Sequence, residues 1–118
     1  VAYSDLLVWQ RAMDLVVETY RLCQSFPAAE RYGLVSQMQR AAVSIPSNIA
    51  EGQARKSKGA FQNHLSIAAG SLAELETQLI LAQRLGFCAE PACSPILSKT
   101  DEIGRMLTGL KSSLATSD

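Results

Sequence analysis

The stretch Q-M-Q-R-A-A-V-S-I-P-S-N-I-A-E-G-Q-A-R, residues 37–55, decides the fold. Gln37, Arg40, Ser44, Asn48, Glu51 and Arg55 recur there at steps of three and four. At about 100° per residue they fall within about 60° of one line on an α-helix. Beside them runs an apolar stripe of Leu34, Met38, Ala41, Ile45, Ile49 and Gly52. Both stripes keep phase through Pro46. A proline inside a helix removes a backbone donor and costs about 3 kcal/mol, yet the unbroken phase predicts one continuous, kinked helix over about Glu30 to Arg55.

The same period recurs on either side, and no alternation at period two persists. A first helix is expected from about Asp5 to Ser25, with Ser4 as N-cap and Leu6, Trp9, Met13, Val16, Tyr20 and Cys23 as its core face. A turn at Ser57-Lys58-Gly59 leads to a third helix, from Gly59 or Ala60 to Leu85, with Phe61, Leu65, Ala68, Leu72, Leu75, Leu79 and Ala82 inward and Gly86 as C-cap. Pro91 and Pro95 read as loop punctuation. A fourth helix follows, about Ser94 to Leu114, with Ile96, Ile103, Leu107, Leu110 and Leu114 inward. Four amphipathic helices with short connections predict a single all-α domain over residues 1–118, an antiparallel up-down-up-down four-helix bundle.

Composition narrows the function. Eleven basic and eleven acidic residues cancel in 118, so any polyanion contact must come from a local patch. Cys23, Cys88 and Cys93 form no C-x-x-C pair, and one histidine is too few for a typical zinc set. They are expected to be reduced thiols, which points to the cytoplasm. No apolar run reaches the roughly 18 residues of a membrane span, and Asp5 with no basic segment argues against a signal peptide. No membrane contact, metal or cofactor is therefore expected.

The candidate sites are three. Gln37, Arg40, Asn48 and Glu51, with Glu74 from the third helix, are expected to form a structural polar network that sets helix register. His64, at the edge of a core face, carries no expected role. Arg55, Lys56 and Lys58 form the candidate nucleic-acid contact, for RNA or DNA, at a helix junction. Surplus apolar positions, Val8, Leu15 and Leu22 on the first helix and Val43, Pro46 and Ala50 on the second, are the candidate oligomer interface, with Ile67, Leu81 and Leu85 on the back of the third. No nucleophile–base set emerges, so an enzyme is not expected.

Four segments carry a resemblance: W-Q-R-A-M-D-L (9–15), F-P-A-A-E-R-Y-G-L (26–34), S-Q-M-Q-R-A-A-V-S-I-P-S-N-I-A-E-G (36–52) and A-A-G-S-L-A-E-L-E-T-Q-L (68–79). The chain resembles the four-helix-bundle family of 23S rRNA intervening-sequence proteins over about Leu7 to Phe87. The fold is also similar to that of the accessory protein of diversity-generating retroelements, a barrel-shaped homopentamer that binds nucleic acid and partners a reverse transcriptase. The resemblance implies a homo-oligomer, with five subunits favoured, and a non-enzymatic binding or scaffold role. RNA or DNA is one expected partner. A purely protein-binding adaptor is the alternative. The family pattern matches Arg40, Asn48, Glu51 and Gly52, and carries no catalytic residue to this chain.

Overall fold

The computed structural model describes residues 2–116. A 3₁₀ turn (Tyr3–Asp5) leads into α1 (Leu7–Cys23). A second 3₁₀ turn (Ala28–Glu30) precedes α2 (Leu34–Ala54), and α3 (Lys58–Arg84) and α4 (Glu90–Thr116) follow. Among the described residues there is no strand. Each helix packs on the one before it and α4 closes the ring against α1, so α1 and α3 are diagonal, as are α2 and α4. Short connections between neighbouring helices are consistent with the up-down arrangement. The bundle is elongated, 49 × 23 × 20 Å.

The helix ends have local causes. α2 starts later than expected, at Leu34, with Gly33 as N-cap and the Glu30 carboxylate accepting from Leu34 N at 3.4 Å. It then runs unbroken through Pro46. Ser57 caps α3, its Oγ accepting from Ala60 N at 3.2 Å. Gly86, at φ 78°, ends α3. Phe87 N donates to Ala82 O and Gly86 N to Gln83 O, the paired bonds of a Schellman cap.

Several expectations are corrected. Ser4 does not cap α1; Leu6 stands at that position and makes no side-chain cap. α4 begins at Glu90 rather than Ser94 and takes in both prolines. Pro91 falls in the first turn, where its missing N–H has no helical partner to lose. Cys88 and Cys93 are joined in a disulfide, and only Cys23 is free. The thiols therefore lend no support to a cytoplasmic location. α3 is long and apolar enough, by length and composition, to cross a membrane. Its Leu65, Ala68, Leu72, Leu75 and Leu79 are instead buried in the bundle. It is rich in apolar residues because it carries an outer stripe, including Ile67 and Leu81, besides its core face.

The largest correction concerns α1. Its core face is Val8, Ala12, Leu15, Thr19, Leu22 and Cys23. Val8, Leu15 and Leu22, expected at an oligomer interface, are interior. Met13 and Tyr20, expected in the core, are each 42% exposed, and Trp9 and Val16 are half-buried. The physical reason is residue size. Ala12 and Thr19 let α1 approach its neighbours, and the Thr19 hydroxyl is satisfied by donating to Leu15 O at 2.8 Å. On α2, Pro46 is buried and Ala50 half-buried, which leaves Val43 as the exposed member of that candidate set.

Between α3 and α4, Glu76 lines a cleft of about 450 Å³ with Asp101 and Arg105. Burial raises the Glu76 carboxyl above its ordinary range, and the Asp101 charge adds to the shift. A carboxyl raised on folding favours the folded state below the unfolded value, and that contribution is lost as pH rises through the folded value. Glu76→Gln is therefore expected to raise the melting temperature at neutral pH. The gain should shrink as pH falls through the raised folded value and be gone below the ordinary glutamate value of about 4.3. Thermal unfolding followed by circular dichroism across pH 3–8 checks this.

Candidate functional site

The polar stripe of α2 meets α3 in one connected cluster. Asn48 is its centre. Its Nδ2 donates to Ser44 O at 2.8 Å and to Ser44 Oγ at 3.0 Å. Both amide hydrogens are thereby used, so Asn48 Oδ1 is an acceptor facing His64 Nδ1 at 3.0 Å. Nδ1 must carry the hydrogen. Nε2 then faces the Glu51 carboxylate at 3.6 Å, and Glu51 Oε2 accepts from Arg55 Nη2 at 3.1 Å. At the other end Ser44 Oγ pairs with Ser71 Oγ at 2.8 Å. Ser71, Ser44, Asn48 and His64 thus form a hydrogen-bonded relay across two helices, with the Glu51–Arg55 pair beside its imidazole end.

Gly52 makes the relay possible. A Cβ built there would lie 2.6 Å from His64 Cβ and 3.1 Å from Phe61 Cδ1. The α2 and α3 backbones approach so closely that no side chain fits between them, and His64, 9% exposed, is pressed against α2. His64 bonds to Asn48 rather than to either serine, and the serines bond to each other. The imidazole therefore activates no hydroxyl. What the arrangement does is fix the rotation and height of α3 against α2.

Of the residues expected in this network, Asn48 and Glu51 belong to it. Gln37, Arg40 and Glu74 do not: all three are exposed, and none joins its hydrogen bonds or ion pairs. They lie along the helices beyond the Ser44–Ser71 end of the cluster, Arg40 and Glu74 by about one turn and Gln37 by about two. Sequence reasoning missed His64. Its signal was Asn48 and Glu51, one turn apart on one side of Gly52, with a single imidazole on the next helix to meet the Asn48 amide.

The basic junction lies at the same end of α2. Arg55 is tied to Glu51. Lys56 is exposed and sits at φ 59°, a left-handed conformation that favours glycine. Lys58 is exposed and has an interaction within the chain. With Gly52, Gln53, Ser57, Phe61 and Leu114, the two lysines line an open cleft of about 410 Å³. Among the described residues no three His, Cys, Asp or Glu side chains are placed to hold a metal ion.

A third surface is apolar. Tyr3, Trp9, Met13 and Val16 of the N-terminal segment and α1 face Val43, Pro46, Ser47 and Ala50 of α2 across a groove of about 360 Å³. It runs on, past Val43, into a second depression lined by Tyr20, Ser36, Gln39, Arg40 and Ser44.

Two substitutions separate the relay from its exposed neighbours. Gly52→Ala is expected to destabilise the bundle by about 1–3 kcal/mol, the usual range for forcing extra volume into a packed interior. Arg40→Met should leave the stability of the isolated chain within about 0.5 kcal/mol, as for most surface changes. Chemical denaturation of both variants decides it; a large loss for Arg40→Met with none for Gly52→Ala would contradict this geometry.

Residues 4–109 match the family model described as 23S rRNA-intervening sequence protein. No curated protein matches the chain. Among solved structures, the chain is similar to a protein of unknown function from the S23 ribosomal protein family of Bacteroides thetaiotaomicron. The TM-score is 0.80 at 23% identity, over 89% of this chain and 98% of that one. At that identity the likeness speaks for the fold, and the family match covers nearly the whole bundle. The chain belongs to the 23S rRNA-intervening sequence protein family.

Proposed function

We propose that this protein is a non-enzymatic scaffold that assembles with copies of itself through the groove between α1 and α2. The observation that carries this is the exposure of Met13 at 42% and Val43 at 40% in the apolar groove, with Tyr20 at 42% in the more polar depression that adjoins it at Val43. Large apolar side chains grouped in this way mark association surfaces more often than incidental surface. The polar relay supports the reading from the other side, because its groups are spent on holding α2 against α3. Five subunits is the number the family resemblance favours.

Light scattering coupled to size exclusion tests this. The expected mass is about five times the 12.7 kDa of one chain. Replacing Met13 and Val43 together with glutamate should reduce it to that of one chain while the helical signal persists. A wild-type chain that stays monomeric at tens of micromolar, where weak interfaces of micromolar Kd are populated, would end this reading.

A second reading, association with RNA or DNA, is favoured by one observation. Lys56 keeps a cation in a strained turn where glycine is the easier residue. Beside Arg55 and Lys58 it would contribute, in a ring, to one basic rim. Binding should then be independent of sequence and fall steeply between about 50 and 200 mM salt, as counterion release requires. Replacing Arg55, Lys56 and Lys58 with glutamine should abolish it without unfolding. Fluorescence anisotropy with labelled RNA and DNA measures this; no binding at about 50 mM salt would remove the reading and leave a protein-only scaffold.

A further inference from the structure

One carboxylate oxygen faces two nitrogens, one at the end of α2 and one on α3. Oε2 of Glu51 accepts from Arg55 Nη2 at 3.1 Å and lies 3.6 Å from His64 Nε2. The His64 hydrogen is on Nδ1, which donates to Asn48 Oδ1. In a neutral imidazole Nε2 is then an acceptor. Nε2 and Oε2 face each other with no hydrogen between them. A proton taken up by this cluster has a place there, on Nε2 and aimed at a carboxylate.

That proton changes both contacts of Glu51. His64 is 9% exposed, and a charge so placed is costly unless an opposite charge meets it. Glu51 is the acid in reach. Its pair with Arg55 is readily released, because the two side chains are 52% and 58% exposed and ion pairs in water contribute little. Asn48 holds the imidazole throughout, since Nδ1 carries its hydrogen in both states. α3 packs on α2 and α4 alone. Besides Glu51 and Arg55, the charged groups brought to this end of it among the described residues are cations. They are Lys56 in the connector, Lys58 on α3 itself, and Lys111 on α4, three residues before Leu114. Asp5 belongs to the N-terminal turn, which packs on α1 and α2.

We propose that His64 is a proton-operated control on the basic junction: protonated at Nε2, it draws Glu51 away from Arg55 and frees the guanidinium for a phosphate. This rests on the nucleic-acid reading above and adds its regulation. The proton comes from solvent, the N–H bond on Nε2 is the one covalent bond formed, and the rest is a change of partner for one carboxylate. The imidazolium stays buried and matched by Glu51, while Arg55 stands beside Lys56 without its acid. RNA or DNA is therefore held more tightly in mildly acid solution than in neutral solution.

The test is clean because His64 is the only histidine, and histidine is the side chain that ordinarily changes charge between about pH 5 and 8. The first measurement uses the protein alone. In NMR spectra the Arg55 Nε–H signal, identified by its loss in Arg55→Gln, should shift with pH on the same curve as the His64 ring. It should stay still in His64→Gln, whose amide can donate to Asn48 but takes up no proton. Glu51→Gln should also uncouple the two, and its exposed position keeps the test available if His64→Gln unfolds. The second measurement is fluorescence anisotropy with labelled RNA and DNA at about 50 mM salt, at about pH 5.5 and about pH 7.5. The wild type should bind about two- to fivefold more tightly at the lower pH, the scale of one exposed charge pair. Its affinity should also fall more steeply with salt there, because Arg55 has joined the phosphate contacts. His64→Gln should show neither change. An Arg55 signal that ignores the His64 curve, or a pH step that survives in His64→Gln, would overturn the control and leave the nucleic-acid reading standing. No binding by the wild type at either pH would overturn both.

Discussion

The close approach of α2 and α3 at Gly52 is the constraint on which the rest depends. With no Cβ there, His64 lies against the α2 backbone and reaches both Asn48 and Glu51. Any larger residue would bring its Cβ within 2.6 Å of His64 Cβ and force the helices apart. The relay would then lose the imidazole, and a buried polar group without its partner is costly. Close packing and polar satisfaction therefore support each other. The apolar contacts bring α3 near, and the relay selects one rotation and one height from those that apolar packing alone would accept.

That registration reaches beyond the pair. Because α3 is held by its inner edge, its outer stripe is presented at a defined angle, and α1 is left to cover the other flank of α2. α1 does so with small residues. Ala12 and Thr19 bring its backbone inward, and the bulky side chains beside them, Trp9, Met13 and Tyr20, are left to line a trough. The apolar surface outside the core is thus a product of how the core is packed.

The family, the four helices, the continuity through Pro46, the inner face of α3 and the Gly86 cap were all legible in the sequence. Each rests on periodicity or local backbone preference, which act within one segment. The face of α1 was not legible, because two apolar stripes run side by side and the bulkier one looks more like a core. Only the partner helices decide between them, by admitting Ala12 and Thr19 at close range. The relay was half legible. Asn48 and Glu51 stood out by spacing, whereas Arg40 and Glu74 were assigned to it on charge alone. One turn along the helix axis, past the Ser44–Ser71 contact, separates them from the cluster. The Cys88–Cys93 bridge was missed because it follows from the geometry of the α3–α4 connection, and no familiar spacing announces it.

The α2–α3 connection, Arg55 to Ser57, has a kinetic consequence. Bringing two segments together costs chain entropy that grows with the length of the intervening loop. Three residues make that cost the smallest of any helix pair in this chain. The α2–α3 hairpin can therefore gather its contacts before the longer α1–α2 connection or the closure of α4 onto α1 is made, and local contacts of this sort are what speed folding. The two helices that hold the polar relay are thus also the natural template for the others: α1 and α4 dock onto a hairpin whose register is already set.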